Sequence, residues 1–457
     1  MAGIMAAMMV LTMMQTTAFA ESEETNKPST ETICGVSDDT PDLSSQEEGV
    51  ESGGKPGEAD ASFDTENEQH AKTEESSETV SEVSEEALSE EDAIAPIAET
   101  NYEVSNNSEL IDALSSIQTG TDTEATIVLK ADVTVQSTSG GSYTASFGVT
   151  GKHITVKSDE GEMKKLSFLS YGVLNGDCTF DNVNVTGSRL FCNGYRTIFT
   201  ENGQIHLSET LYGGGYKTTV NSTYVVIAAS GYINPSSSSG LHDVIGGSYQ
   251  GNVVGDTYLE ITGDIQMQSG NHLNPGCMKG DGSSGDGRNV PDVYVGGNAT
   301  LIYDNKNSTD TASPAIEGTY GCEMKGDVTL DVRAGCVAGI VGTEEPLEES
   351  IIRGNLHIIA GNPAYENTDR ILRLGSNWPI VGAGNSFATY PDVEGNYTVG
   401  GNITIDTYEN VWSWDKGVDP TTDHDKWYDI PEIYGAIRGN VGGSITINAH
   451  GDRKSVV

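Results

Sequence analysis

From residue 101 onward, apolar and polar residues alternate in short runs, and most runs are entered through one kernel: apolar, any residue, Gly, then Asp, Asn or Ser. The kernel reads LNGDCTF (174–180), VVGDTYL (253–259), VGGNATL (295–301), MKGDVTL (324–330), IRGNLHI (352–358), VGGNITI (399–405) and VGGSITI (441–447). Period-two alternation predicts strands with one buried face, and Gly followed by Asp or Asn suits a tight turn at the entry. Kernel glycines 297, 326 and 354 are separated by 29 and 28 residues, the length of one solenoid coil of two or three short strands. Longer steps, 42 residues from Gly255 to Gly297 and 47 from Gly354 to Gly401, fit a coil with an inserted loop or a coil and a half. Weaker copies, ENGQIHL (201–207) and VNSTYVV (220–226), fill the interval after Gly176. The alternation points Cys178 and Phe180, Thr257 and Leu259, Val328 and Leu330, Leu356 and Ile358, Ile403 and Ile405, and Ile445 and Ile447 inward. Stacked coil on coil, these residues form apolar ladders that no single repeat could bury alone.

A second signature lies between kernels: LYGGG (211–215), VIGGS (244–248), AGIVG (338–342), PIVGAG (379–384) and EIYGA (432–436). Glycine there suits a corner with positive φ or a close approach of neighbouring backbones. The competing architecture is an antiparallel sandwich rich in Gly turns, but two-residue hairpin signals are few. Residues 101–135 offer an Asn/Ser cap, an amphipathic stretch at Leu110, Ile111, Leu114 and Ile117, and then an alternating strand. HITVKSDEG (153–161) and CTFDNVNVTG (178–187) continue in strands broken by polar turns. This opening resembles right-handed parallel β-helix proteins of the pectate-lyase-like class, in which a helix caps the first coil. The later Gly-rich repeats resemble those of large secreted bacterial surface proteins of that architecture. The resemblance spans 101–451 and implies an all-β, right-handed parallel β-helix or solenoid. It carries no catalytic signature.

Outside 101–451 the pattern changes. Residues 1–20 form an apolar run ending Ala18-Phe19-Ala20, the small-x-small end of a secretory signal peptide, although no Lys or Arg precedes it. Residues 21–100 hold 25 acids against three Lys and few large apolar residues, so a disordered, self-repelling spacer is expected. The last six residues, 452–457, break the repeat and read as the translation of a common sequencing adapter, so the natural frame is expected to continue beyond them; a natural polar tail is the alternative. No other segment supplies the ~20 apolar residues of a membrane span. The whole chain carries a net charge of −44 with no basic cluster, which argues against nucleic acid as a partner. An extracellular or cell-surface location follows, with an extracellular polysaccharide or host surface polymer as the expected partner. The six cysteines, Cys34, Cys178, Cys192, Cys277, Cys322 and Cys336, show no zinc spacing and are expected as buried thiols, with disulfides the alternative.

Candidate chemistry is sparse. The family comparison calls for carboxylates with a basic residue, or for paired Asp with Gly-His-Gly. No His lies between two glycines, and no cluster of Asp with Arg or Lys on consecutive coils is evident, so no catalytic residue is assigned. The segment 412–429 interrupts the repeats. Its Trp412, Trp414 and Trp427 could stack on sugar rings, while Asp423 and Asp425 could fix hydroxyls or a bridging cation. The alternative is that these aromatics merely pack the insertion onto the coils. A Gly-rich acidic loop with Asp281, Asp286 and Asp292 is a loose match to a Ca²⁺ loop, and Ca²⁺ is the one cofactor the sequence suggests. Three functions are compatible: an adhesin or display scaffold binding glycans or host or community polymers, a polysaccharide-active lyase or hydrolase, and a structural cell-envelope protein.

Overall fold

The computed structural model describes residues 100–136, 144–169, 171–234, 243–267, 272–279, 292–306, 314–344, 349–375, 379–384, 397–414, 427–428 and 432–450. The expected leader, all of the acidic spacer but Thr100, and the 452–457 tail lie outside them. The described chain is an all-β parallel solenoid. Every strand pair among the described residues is parallel except Val411–Trp414 with Trp427–Tyr428, which removes the sandwich alternative.

All seven kernels fall in one long sheet whose strands succeed one another in chain order from Asn101–Val104 to Ile445–Ala449. Their registers match the predicted ladders: Val328 lies beside Leu356, Leu356 beside Ile403, and Ile403 beside Ile445. The long steps each make a single coil, since Thr257–Ile261 pairs directly with Ala299–Asp304 and Leu356–Ala360 with Ile403–Thr407. One early coil is short, 19 residues from Asp177 to Arg196, whereas the coil from Glu124 to His153 takes 29. One weaker copy is placed differently from the reading: Gln204–Leu207 belongs to a third sheet, and Arg196–Phe199 takes its place in the long one. The second signature maps entirely to the second sheet, from Leu211–Tyr212 to Ile433–Ile437.

The kernel's Asp or Asn does more than turn the chain. Its side-chain oxygen accepts the backbone N–H of the residue after the next kernel's glycine: Asp256 from Asn298 (2.7 Å), Asn298 from Asp327 (2.9 Å), Asp327 from Asn355 (2.7 Å), Asn355 from Asn402 (2.9 Å) and Asn402 from Ser444 (2.9 Å). The kernel glycine is needed for the closeness this requires. A Cβ on Gly401 would lie 2.6 Å from Asn355 Oδ1, and Gly401 is not among the residues with positive φ. At the second signature a Cβ on Gly342 would run into the carbonyl oxygen of Gly382, so close backbone approach is again the reason.

Helix α1 (Asn107–Thr119) closes the first coil. Asn106 caps it by accepting from Ser108 N and Glu109 N, while Glu109 returns to Ser105 N at 2.7 Å. Leu110, Ala113 and Ile117 are buried against the first coil, whereas Ile111, read as part of the apolar stripe, is exposed. The core is a continuous stack of aliphatic residues, with Phe147, Phe180 and Phe199 adjoining one another in the early coils. Cys178, Cys192, Cys277, Cys322 and Cys336 are buried thiols, and Cys34 lies outside the described residues.

Candidate functional site

On the outer face of the long sheet, polar and aromatic residues from successive coils stand one above another. Tyr224 and Tyr258 are in register, and their rings stack at 4.7 Å with planes 7° apart, close to the spacing of adjacent strands. The Arg196 guanidinium lies 5.0 Å from the Tyr224 ring centre. Tyr258 donates its hydroxyl to Glu260 Oε2, and burial together with that carboxylate pushes its phenol above the ordinary range.

Beyond this stack the sheet is disturbed by a bulge. Tyr303 pairs with Val332 but Asp304 pairs with Ala334, so Arg333 is the extra residue on its strand. A bulge redirects a side chain. Here Arg333 turns back on Asp331, donating from Nε at 2.9 Å and Nη2 at 2.6 Å, and its charge also reaches Tyr258 and Tyr365. Asp304, itself buried, accepts from the Tyr365 hydroxyl and from Arg370 Nη2. Burial and the Asp304 carboxylate raise the Tyr365 phenol.

The loop that supplies Tyr365 and Arg370 is fixed from the next coil. Asn410 is buried; its amide nitrogen donates to the carbonyls of Arg333 (3.0 Å) and Arg370 (3.1 Å), and its oxygen accepts from Asn362 N (2.8 Å). One asparagine therefore holds the backbones of both arginines. The result is a patch of Glu260, Asp304 and Asp331 with Arg333 and Arg370, flanked by three tyrosines. It is the cluster of Asp with Arg on consecutive coils that the sequence reading did not find. Each carboxylate is already engaged by a donor of the chain, so the groups are held in position and half-exposed rings and guanidinium faces are left for a ligand.

The Trp-rich insertion begins beside this patch. Val411–Trp414 runs parallel to Leu372–Leu374 with Trp412 opposite Arg373, then pairs antiparallel with Trp427–Tyr428, which sets Trp414 opposite Trp427. Trp412 is half-buried. The structure thus brings the three tryptophans onto one short strand pair, while Asp423 and Asp425 lie outside the described residues. Asp292 is exposed and pairs with Lys279 at 3.2 Å; its expected companions Asp281 and Asp286 lie outside the described residues. Among the described residues no group of three or more His, Cys, Asp or Glu is placed to hold a metal, and no helix is long and apolar enough to cross a membrane. No family model, curated protein or solved structure matches the chain.

Proposed function

We propose that this chain is an exported cell-surface repeat protein, an adhesin or display scaffold akin to secreted proteins of the pectate-lyase-like β-helix class. In this reading the 1–20 segment directs export, the acidic 21–100 segment spaces the solenoid from its anchor, and the outer face of the long sheet binds a glycan polymer. The observation that supports it most is the Tyr224–Tyr258 stack beside the Arg333–Asp331 and Arg370–Asp304 pairs. The stacked rings cover one face of each other and Arg196 lies over Tyr224, so the stack offers a ridge of apolar ring edges to a sugar chain, and guanidinium–carboxylate pairs offer fixed donors and acceptors to hydroxyls.

The test is a glycan array probed with the wild type, a Tyr224→Ala/Tyr258→Ala variant and a Trp412→Ala/Trp414→Ala/Trp427→Ala variant. Loss in the tyrosine variant supports the sheet-face site, and loss only in the tryptophan variant moves the site to the insertion. Binding by none of the three leaves the structural envelope role. Carboxylates beside arginines on adjoining coils favour a second reading, a polysaccharide-active enzyme. Release of reducing or unsaturated sugars from a polymer would establish it.

A further inference from the structure

Part-way along the solenoid the coil widens. After Arg189–Phe191, residues 192–195 lead straight into the long sheet at Arg196, but one coil later residues 213–222 intervene between Leu211–Tyr212 and Thr223–Ile227. The longer segment opens a further side of the coil: Val220 pairs with Val253, and Val253 with Val295. It therefore overhangs the narrower coil before it, and both coils are among the described residues. The overhang is short. The Gly214 carbonyl accepts the Asn193 N–H at 3.0 Å, and Val220 sits on the narrower coil, where a Cβ on Gly194 would lie 2.8 Å from Val220 Cβ. Between these two points residues 216–219 are all exposed. One face of the Tyr216 ring stacks on Tyr249 at 5.5 Å, with planes 4° apart, and Phe191 of the narrower coil meets it at 65°. The column continues through Met278 and Tyr320. Tyr249 and Met278 are at most 7% exposed, whereas Tyr216 is 49% exposed.

The main chain of Tyr216 is open on the same side. Each later member of the column is clasped by the coil before it. Tyr249 donates its N–H to the Gly215 carbonyl (3.0 Å) and accepts from Lys217 N–H (2.7 Å); Met278 donates to the Ser248 carbonyl (2.9 Å) and accepts from Gln250 N–H (2.7 Å). Tyr216 comes first, and its N–H and carbonyl meet no partner among the described residues. Beside it, the Lys217 ammonium lies 5.1 Å from the Tyr216 ring centre. We propose that this niche binds one neutral hexopyranose ring of a glycan. A half-exposed aromatic ring, a main-chain donor and acceptor, and an ammonium converge there. A pyranose matches them, with C–H groups on its face and hydroxyls at its rim that both accept and donate. An extended peptide fits less well, because residues 216–219 are shorter than the ordinary strand of about 5–6 residues. An anionic sugar is opposed by the net charge of −44. The niche precedes the long sheet and is separate from the Tyr224–Tyr258 stack, so it stands or falls on its own.

The probes are the methyl glycosides of glucose, galactose, mannose and N-acetylglucosamine, each followed by saturation-transfer difference NMR on the full chain. At least one should bind saturably. Tyr216→Ala should weaken that binding about fivefold, whereas Tyr216→Phe, which keeps the ring and the main chain, should not. Lys217→Gly should also weaken it, and with an unchanged melting temperature, because glycine takes the φ of 54° at this position without strain. That variant separates lost binding from lost folding. The Tyr224→Ala/Tyr258→Ala variant should bind the glycoside as the wild type does. No saturable signal from any of the four glycosides, or equal binding by the wild type and Tyr216→Ala, would overturn the proposal. So would loss of binding in the Tyr224→Ala/Tyr258→Ala variant alone, because the sugar would then sit on the face of the long sheet.

Discussion

The side-chain oxygen of Asn355 accepts the backbone N–H of Asn402, one coil further on, at 2.9 Å. The contact is polar and at the surface, and it joins one coil to the next beside the apolar ladder beneath it. Replacing Asn355 by Ala should cost about 1 kcal/mol, the value of one net hydrogen bond, read as a lower denaturation midpoint with an unchanged slope. Gly401→Ala should cost more, about 1–3 kcal/mol, because the added methyl meets both Asn355 Oδ1 and the Gly354 carbonyl at 2.6 Å. A gain in stability from Gly401→Ala would show that no steric need holds glycine at this kernel position.

Position along the stack should decide how costly a charge is. Leu330 is fully buried with rungs on both sides, and Leu330→Asp should cost several kcal/mol by burying an unpaired carboxylate. Ile445→Asp, at a position 45% exposed, should cost under about 1 kcal/mol, as surface changes do. Thermal melts of the two variants side by side check the contrast.

Asp406 ties the last three rungs together on the outer face. It accepts from His357 Nε2 (2.7 Å), Asn448 Nδ2 (2.8 Å) and His450 Nε2 (3.1 Å). Burial pushes its carboxyl upward, but these partners outweigh that and hold it below the ordinary range. A carboxyl depressed by folding stabilises fully above its unfolded pKa and loses that contribution as pH falls through its folded pKa. Asp406→Asn should therefore be less stable than the wild type at pH 7, and the gap should close as the pH is lowered past the carboxylate range. A gap that widens on acidification would contradict this assignment.

Burial pushes the Cys192 thiol up to about 12 and raises Cys178 as well. Neither can supply thiolate at neutral pH, and all five described cysteines are closed to solvent. At most one of the six thiols should react with a thiol reagent in the native chain, and the rest only on unfolding. Fast labelling of several in the native state would be at odds with this packing.

Most of the architecture was legible in the sequence because ladders and alternation are local patterns. A residue such as Leu330 declares its inward face through Val328 two positions earlier. The role of Asn355 was half legible: its place after Gly354 marked a turn, but its partner is a backbone N–H 47 residues away. The patch around Arg333 was not legible at all. It depends on a one-residue bulge, on the register of Asp304 against Ala334, and on a loop held by Asn410 from another coil. None of these leaves a period in the chain. The tryptophans at 412, 414 and 427 stood out by composition, and the structure adds only which of them face each other in register.

Inter-strand hydrogen bonds in a sheet run across the strands, so in this solenoid they point from coil to coil along its length. Tension applied between the two ends would load them one rung at a time instead of shearing many together. The coils should yield one at a time, each releasing its slack before the next gives way. A coil of 28 residues, such as the one from Asp327 to Asn355, frees about 90 Å of extended chain. Pulled from its ends, the protein would lengthen in discrete steps at modest force, a mechanical fuse that absorbs strain without coming apart all at once.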